Sequence, residues 1–384
     1  MIRSPRILVL TLSFGSGHVQ AAKAVANELC RQEPNSEVKV IDALATTRVL
    51  FRAFYVWPYW LMVRYAPALW NRFFRRRLKR LHRRTAPEWA FRFGCPQIFA
   101  QISDHKPETI VATEVAASEI TAIAKRRGLT DARIVNVITD YEAEPVWVQR
   151  EADRYAVPDQ YVRDQLATWG ASPEDIIISG IPAESAFLLP HDARSTRIKY
   201  KFADAPVVLL MGGGMGPTRM DEVAAFLLLS GQRIQIVAVA GNDKRARRRL
   251  ERLRPLPQTP LCVIGWTEDV PALMQIASVL ITKPGGLTTA EAAISALPTV
   301  MFDAIPGPEQ RNAQRVAHAG AGVIAKGARQ AAQAALSLLA DETARQRMSA
   351  SAKNIAAPDA AKMIARVVLN RSDVDREVAK AMTA

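Results

Sequence analysis

Several protein classes are excluded by what this chain of 384 residues lacks. Its three cysteines are odd in number, lie far apart and form no C-x-x-C pair, which excludes a disulfide scaffold and a zinc ribbon and favours a reducing compartment. The 19 glycines and 23 prolines are thinly spread, which excludes collagen-like and low-complexity chains. Four of the five histidines, His82, His105, His191 and His318, have no spacing typical of metal ligands, so we expect no metal.

Long apolar runs are also missing. No uninterrupted stretch approaches the ~18 residues needed to span a bilayer. The longest candidate covers 53–63, is closed by Arg52 and Arg64, and has a length suited to lying in a membrane interface. The first residues lack the charged-then-apolar layout of a signal peptide, so we expect no leader.

Acidic residues are absent from one long segment, and most of the net positive charge of the chain lies there. The net charge is +14, and residues 43–87 contain eleven Lys and Arg but no Asp or Glu, so the rest of the chain is expected to be near neutral. Ten aromatic residues lie in the same segment. Aromatic rings and arginines together predict a membrane-docking segment at about 48–84, with a buried helix pair and a solvated basic face as the alternative. The residues predicted to dock are Trp57, Tyr59, Trp60, Arg75, Arg76 and Arg77.

The composition that remains is that of a globular protein. With 49% hydrophobic and 23% charged residues, the chain can bury full cores, and its length is typical of two domains. Short β-branched runs alternate with longer amphipathic stretches, which predicts an α/β fold with parallel sheets. Strands are predicted at 7–12, 38–41, 109–112, 134–138, 153–157, 176–179, 207–211, 234–240, 261–264, 279–282 and 299–302, with helices between them and from 330 onward.

Each half opens with a strand, a glycine-rich turn and a helix. We expect two doubly wound Rossmann-like domains, 1–185 and 200–355, that face a central cleft, followed by a helical tail at 356–384. The polar stretch 184–206 lacks periodicity and is predicted to be the linker. Ligands of such sheets bind beyond the carboxyl ends of the strands, where the glycine turns lie.

The first glycine turn of the second half, Gly212-Gly213-Gly214-Met215-Gly216-Pro217, could approach a phosphate or diphosphate at a helix start. Pro217 replaces the third glycine of the dinucleotide fingerprint, and no Gly-Lys-Ser/Thr follows, so that motif and Walker A are both absent. A plain structural turn stays the alternative.

The second turn, Lys283-Pro284-Gly285-Gly286-Leu287-Thr288-Thr289-Ala290-Glu291, also joins a strand end to a helix start. Thr288 and Glu291 have the spacing of a capping box, which would explain both residues but not Lys283 or the two glycines. The functional alternative puts the Thr288 and Thr289 hydroxyls on phosphate and the Glu291 carboxylate on a ribose diol.

His18 follows Gly17 at the first helix start, at the mouth of the first domain. The helix dipole disfavours the protonated form there, which leaves a neutral imidazole able to accept a proton. A structural histidine is the alternative. Asp140 and Tyr141 follow a strand and could face the same site, although an Asp at a strand end is commonly a turn residue.

Taken as an ordered set, these motifs resemble the monogalactosyldiacylglycerol synthase family, which includes bacterial processive diacylglycerol glucosyltransferases and belongs to glycosyltransferase family 28. The first half contributes Ser13-Phe14-Gly15-Ser16-Gly17-His18, Gln20-Ala21-Ala22, Thr139-Asp140-Tyr141 and Gly180-Ile181-Pro182. The second contributes Gly212-Gly213-Gly214-Met215-Gly216, Gly265-Trp266, Lys283-Pro284-Gly285-Gly286-Leu287-Thr288, and Glu309 with Asn312-Ala313.

The resemblance implies a GT-B fold and an inverting transfer from a UDP-sugar that needs neither a cofactor nor a metal. It implies that His18 is the base that deprotonates the acceptor hydroxyl, with Gly17, Asp140 and Tyr141 on the acceptor side. On the donor side it implies diphosphate contacts from Gly213, Gly214 and Thr288, ribose contacts from Glu291, uracil contacts near Gly265 and sugar contacts from Glu309. The other donor-side residues of these motifs are Met215, Trp266, Gly285, Gly286, Leu287, Thr289 and Asn312.

Two departures from the family pattern bear on these expectations. Pro308 stands where the family often has Gln before the acidic residue of the sugar loop, so the sugar stays open. Residues 181–184 lack the usual continuation after Gly-Ile-Pro, which leaves the hinge open as well.

The leading hypothesis is a peripheral enzyme on the cytoplasmic face of a membrane that moves a UDP-hexose sugar to diacylglycerol or a related lipid. Its partners would be the donor, the lipid acceptor and an anionic membrane surface, with no nucleic acid. A polyprenyl-linked or other amphipathic acceptor is the alternative enzyme. A basic nucleic-acid-binding protein is the alternative of another class.

Overall fold

The computed structural model describes residues 4–79, 84–213 and 219–369. The chain divides into two compact units, Met1–Glu184 with Pro358–Ala384, and Ser185–Ala357. Each unit is built on one six-stranded parallel sheet, which confirms the predicted α/β class.

The sheet of the first unit, sheet A, has the strand order β2-β1-β3-β4-β5-β6. Its strands are β1 (Arg6–Thr11), β2 (Glu37–Asp42), β3 (Thr109–Ala112), β4 (Arg133–Val137), β5 (Arg154–Val157) and β6 (Ile176–Ile178). Most of the predicted strands lie within a residue or two of these bounds, because apolar β-branched runs are typical of strands buried on both faces.

The helices of the first unit are concentrated in the connection from β2 to β3. They are α1 (Ser16–Gln32), α2 (Ala43–Thr46), α3 (Val49–Phe51), α4 (Trp57–Tyr65), α5 (Pro67–Leu78), α6 (Glu88–Gly94), α7 (Pro96–His105), α8 (Val115–Arg126) and α9 (Gln160–Thr168). A π-helical turn, Arg52–Val56, joins α3 to α4. The predicted docking segment is therefore mostly helical where the structure describes it.

Sheet A buries alternate residues on its two faces. Leu8 and Leu10 pack toward α7 and α8, whereas Ile7 and Val9 pack toward α1. This alternation is the two-residue period of a strand, and each fully buried aliphatic side chain stabilises the fold by about 1.5–3 kcal/mol.

The sheet of the second unit, sheet B, has the order β12-β11-β10-β7-β8-β9. Its elements are α10 (Ala193–Tyr200), β7 (Val207–Met211), α11 (Met220–Leu229), β8 (Gln235–Val239), α12 (Lys244–Glu251), β9 (Leu261–Ile264), α13 (Val270–Ile276), β10 (Val279–Thr282), α14 (Gly286–Ile294), β11 (Thr299–Met301), α15 (Pro308–His318), β12 (Gly322–Ile324), α16 (Ala328–Ala340) and α17 (Glu342–Asn354). Read from β7 outward, this is the strand order of the dinucleotide-binding Rossmann sheet.

The last described helix, α18 (Ala360–Val368), returns to the first unit. Ile364 and Val368 are buried against the same face of sheet A as α1. This helix is the described part of the predicted tail, and residues 370–384 of that tail lie outside the described residues.

Two expectations differ from the structure. The predicted linker at 184–206 contains α10, which Asp192 caps by accepting the N–H of Arg194, and it lies in the second unit. The short strand β12 has no counterpart among the predicted strands, because three residues are too few to show a period.

Candidate active site

Parallel sheets bind ligands where the strand order reverses, beyond the carboxyl ends of the strands, and we call this place the switch point. In sheet A it lies between β1 and β3, and in sheet B between β7 and β10. The loops that leave these four strands contain most of the predicted site residues.

His18 lies at the switch point of sheet A, in the first turn of α1. The side chain of Thr113, just after β3, donates a hydrogen bond to its carbonyl oxygen at 3.1 Å. Its ring Nδ1 lies 2.8 Å from the hydroxyl oxygen of Thr139, which follows β4. Three strand ends therefore hold the imidazole in place.

The imidazole of His18 is neutral at physiological pH. Burial lowers the pKa of His18 from 6.5 to about 4, and a hydrogen bond with the backbone of Thr113 opposes this only in part. The first turn of α1 has no acidic side chain, and its dipole also disfavours a cation. When Nδ1–H donates to Thr139, Nε2 carries the lone pair that a general base needs.

The other acceptor-side residues lie next to His18 in the chain or in space. Gly17 precedes it in α1, and Asp140 and Tyr141 follow Thr139. Tyr141 is buried, and both Asp140 and Tyr141 take part in further interactions. The member of the Thr139-Asp140-Tyr141 motif that contacts the imidazole is Thr139, to which the sequence analysis gave no role.

A buried acidic cluster lies beneath the predicted docking segment, and sequence reasoning missed it. Burial raises the pKa of Glu114 to about 8 and that of Glu119 to about 7, and it also raises the pKa of Glu144. Glu119 accepts hydrogen bonds from the backbone N–H and the hydroxyl of Thr85. Arg77 forms an ion pair with Glu144, with 2.6 Å between Nη2 and Oε2.

The predicted docking residues fall into two groups. Trp57 is 56% exposed, and Arg75 and Arg76 are exposed on α5. Tyr59 and Trp60 are half-buried, and Tyr59 makes edge-to-face contacts with Phe14, Trp60 and Trp70. These two side chains pack within the segment, and Arg77 is occupied by Glu144.

Exposed apolar side chains extend the surface around Trp57 beyond the predicted residues. They belong to the helices from α3 to α6 and to the π-helical turn: Val49, Leu50, Phe54, Leu61, Tyr65, Leu69, Phe73, Trp89 and Phe93. Large exposed apolar patches are typical of protein or membrane contacts, and this part of the chain concentrates such side chains.

At the switch point of sheet B, the first glycine turn is described only in part. Gly212 and Gly213 follow β7. Gly213 has φ +72°, a backbone conformation that residues other than glycine rarely adopt. The predicted residues Gly214 and Met215 lie outside the described residues. Helix α11 begins at Met220, after Arg219, which forms an ion pair with Asp303.

The second turn does not form the capping box. Helix α14 begins at Gly286 with Gly285 as its N-cap, so Thr288 lies inside the first turn and the capping alternative is wrong. The Thr289 hydroxyl donates to the carbonyls of Gly285 and Gly286. The first turn of α14, which includes Leu287, therefore has no side-chain cap. Its free backbone N–H groups provide a favourable environment for an anion.

The remaining donor-side residues surround this turn. Glu291 is buried in α14 and takes part in a further interaction. Glu309 forms an ion pair with Lys283, and the buried Asn312 donates to the carbonyl of Pro284. Helix α15 is thereby fixed to the turn.

Gly265 and Trp266 follow β9, farther along the same edge of sheet B. Trp266 is 54% exposed, so its ring is available to a ligand. The loop is fixed by Asp269, which accepts hydrogen bonds from Lys199 and Tyr200 of α10. The helix that the sequence analysis read as a linker thus supports a predicted binding loop.

A second concentration of positive charge lies in the rest of the chain, which is near neutral overall as expected. Residues 244–254 include seven Lys and Arg and one Glu, and the cationic side chains are exposed. Arg247 pairs with Glu251 and Arg249 pairs with Asp221. Its signal in the sequence is the run Lys244-Arg245-Ala246-Arg247-Arg248-Arg249.

Within the described ranges, no group of three His, Cys, Asp or Glu side chains could hold a metal ion. The helices described there include none that has the length and apolar character needed to cross a membrane.

Comparison with known proteins connects each unit to a family. Residues 18–183 match the profile of monogalactosyldiacylglycerol (MGDG) synthase, and residues 222–355 match that of glycosyl transferases group 1. A processive diacylglycerol beta-glucosyltransferase of Bacillus cereus (strain B4264) is 27% identical over 370 residues, 96% of this chain and 94% of the relative. That of Bacillus thuringiensis (strain Al Hakam) is 26% identical over 376 residues, 98% and 96%. These matches confirm the predicted resemblance.

Solved structures confirm the predicted GT-B fold. MurG of Acinetobacter baumannii aligns with a TM-score of 0.59 and 16% identity, over 95% of this chain and 99% of MurG. MnaA of S. aureus, in a co-structure with UDP, aligns with a TM-score of 0.64 and 16% identity, over 95% and 97%. HepE of Anabaena, in complex with UDP-glucose, aligns with a TM-score of 0.54 and 14% identity, over 98% and 99%.

Proposed function

We propose that this chain, a glycosyltransferase of GT-B fold, transfers a hexose from a UDP-sugar to diacylglycerol with inversion at the anomeric carbon. The observation that carries the proposal is the neutral His18 at the switch point of a unit that matches the MGDG synthase profile. The names of the full-length relatives support diacylglycerol as the acceptor and glucose as the sugar.

His18 acts as the general base. Inverting transfer in one step needs a base that removes the proton of the acceptor hydroxyl as the oxygen attacks the anomeric carbon. A neutral imidazole with one nitrogen fixed on Thr139 meets this need. The proton moves to His18, the bond from the acceptor oxygen to the anomeric carbon forms, and the bond to the diphosphate breaks.

The second unit holds the donor. The bond that breaks leaves UDP with an additional negative charge, which positive groups stabilise in the transition state. The uncapped first turn of α14 and the cation of Lys283 provide such charge at the switch point of sheet B. We therefore propose that the transfer proceeds without a metal ion or a further cofactor.

The acceptor is reached at a membrane surface. The exposed apolar side chains around Trp57 and the exposed Arg75 and Arg76 form a surface on which lipid can bind. Aromatic rings prefer the headgroup region, and each cation near an anionic surface contributes about 1 kcal/mol. We propose peripheral binding through this surface.

Product analysis tests the proposal. The chain is incubated with labelled UDP-glucose or UDP-galactose and vesicles that contain diacylglycerol, and the glycolipid is analysed for its anomeric configuration. We expect a β-linked glycolipid from the α-linked donor. A retained configuration would contradict the inverting mechanism, and the absence of glycolipid with every UDP-hexose would contradict the function.

Two further arms of the experiment address the alternatives. Vesicles that carry a polyprenyl-linked alcohol in place of diacylglycerol test another amphipathic acceptor. Binding to single-stranded RNA is compared with binding to anionic vesicles over a range of salt concentrations. Salt-sensitive binding to RNA without binding to vesicles would favour the nucleic-acid alternative.

A further inference from the structure

Lys283 lies at the switch point of sheet B, and no role has been assigned to it beyond its charge. It directly follows Thr282, the last residue of β10. Thr282 is the register partner of Met211, the last residue of β7. Lys283 and the glycine turn after β7 therefore leave the sheet side by side.

The ammonium of Lys283 is buried and paired. The residue is 8% exposed, and its Nζ lies 2.6 Å from Oε1 of Glu309. The second carboxylate oxygen of Glu309 accepts the backbone N–H of Ile305 at 2.8 Å. Both oxygens of this carboxylate are therefore held by donors of the protein.

The stem of Lys283 also lies close to the glycine turn. A Cβ placed on Gly213 would lie 3.5 Å from Cε of Lys283. The side chain thus extends from the predicted diphosphate turn to the carboxylate predicted to contact the sugar. In a sugar nucleotide the diphosphate and the hexose hydroxyls are separated by about the length of one such side chain.

Burial makes Glu309 depend on this lysine. A carboxylate removed from water needs a cation or several donors, and losing one partner leaves the other charge uncompensated. Sugar recognition in turn requires a fixed acceptor, because a polar group that can reorient accepts hydroxyls from different epimers equally well.

We propose that Lys283 is a positioning residue that fixes the Glu309 carboxylate and thereby sets which hexose the enzyme accepts. This inference rests on the proposed UDP-hexose donor. The inference assigns sugar discrimination to the ion pair between Lys283 and Glu309. The neighbouring Pro308 has no amide side chain that could take this role.

Calorimetry of UDP-glucose, UDP-galactose and UDP-N-acetylglucosamine binding tests the inference. The wild-type chain is compared with Lys283→Met, Lys283→Arg and Glu309→Gln. We expect Lys283→Met to reduce the ratio between the best and the worst Kd by about tenfold or more. Glu309→Gln should reduce the ratio equally, the double variant should reduce it no further, and Lys283→Arg should restore most of it.

Thermal unfolding of each variant separates this role from a general loss of structure. Lys326→Met is the matched control, because Lys326 is an exposed lysine of the same unit. If Lys283→Met and Lys283→Arg fold and both keep the wild-type ratio, the inference is overturned. A wild-type chain that binds all three donors equally would overturn it as well.

Glycolipid formation is measured separately, so that the inference and the proposed function can fail independently. A chain that forms no glycolipid, yet loses donor discrimination on Lys283→Met, contradicts the proposed acceptor and supports the inference. A chain that forms glycolipid, yet keeps its discrimination between donors after Lys283→Met, supports the proposed function and contradicts the inference.

Discussion

Both units are built on a six-stranded parallel sheet, but the two sheets differ in strand order and in the chemistry at their switch points. At that of sheet A, the ring of the half-buried His18 has a hydroxyl partner, and desolvation lowers its pKa to about 4, so it is neutral. At that of sheet B, the buried Lys283 has a carboxylate partner. A carboxylate compensates a cation that is removed from water, whereas a hydroxyl does not. The switch point of a parallel sheet can thus hold a neutral proton acceptor in one unit and an ion pair in the other.

The connections between strands differ as well. In sheet B the crossovers from β8 to β9 and from β9 to β10 each contain one helix, α12 and α13. In sheet A the crossover from β2 to β3 contains the helices from α2 to α7. The exposed apolar surface of the first unit therefore belongs to one enlarged connection between strands.

The largest effect is expected at His18. His18→Ala removes the base and should lower kcat for glycolipid formation by about 10²–10⁴. The affinity for UDP should stay at the wild-type value, because the donor is proposed to bind to the second unit. Steady-state kinetics and calorimetry measure the two quantities.

His318→Gln is the matched control for His18→Ala, because His318 is exposed in α15. It should leave kcat unchanged. Wild-type turnover in His18→Ala would contradict the assignment of the base.

The buried carboxyls predict an unusual dependence of stability on pH. Their pKa values are raised above those of the unfolded chain, so the native state binds more protons and the free energy of unfolding falls as pH rises toward 8. The lowered pKa of His18 acts in the opposite direction, but only below pH 6.5.

Thermal unfolding between pH 6.5 and 8.5 isolates the carboxyls from the histidine. Tm should fall by several degrees for the wild type, at roughly 2–4 °C per kcal/mol. Glu114→Gln should flatten this slope, whereas Glu342→Gln, in exposed α17, should not. A wild-type Tm that rises over this range would contradict the burial of these carboxyls.

A pair of glycines tests the donor side. Gly213 and Gly231 both have positive φ, so an alanine at either position should destabilise the fold by about 1 kcal/mol. Only Gly213 lies at the switch point, so only Gly213→Ala should weaken UDP binding, by about tenfold or ~1.4 kcal/mol. Equal UDP affinities of the two variants in calorimetry would remove Gly213 from the donor site.

Neighbouring arginines test the docking surface with the smallest effect. Arg76→Gln should lower partitioning to anionic vesicles by about 1 kcal/mol and leave Tm unchanged. Arg77→Gln should lower Tm, because it leaves Glu144 buried without its cation. Vesicle sedimentation measures the first effect and thermal unfolding the second. Weaker vesicle binding only in Arg77→Gln, with a lower Tm only in Arg76→Gln, would contradict both assignments.

The sequence predicts the sheets and the position of His18 because both depend on local signals. Buried parallel strands are continuous β-branched runs, and a histidine at a helix start can be read from its neighbours. The resemblance adds the order of the motifs and hence the GT-B fold. Helix α10 also had a signal, since Asp192 precedes a helical run, but its charged residues gave no apolar period.

The contacts that adjust the site could not be predicted, because they join distant parts of the chain. Thr139 lies 121 positions from His18, and Glu119 lies 34 positions from Thr85. Composition likewise predicts a basic aromatic segment without telling Arg76 from Arg77. That distinction depends on which face of α5 meets Glu144.

The pH dependence of kcat/KM for glycolipid formation tests the central claim most directly, since it reports the pKa of the base in the free enzyme. We predict that activity stays constant from neutral pH down to the acid limb near pH 4, where His18 becomes protonated. An acid limb near pH 6.5, the ordinary value for histidine, or a profile that is unchanged in His18→Ala, would contradict the claim.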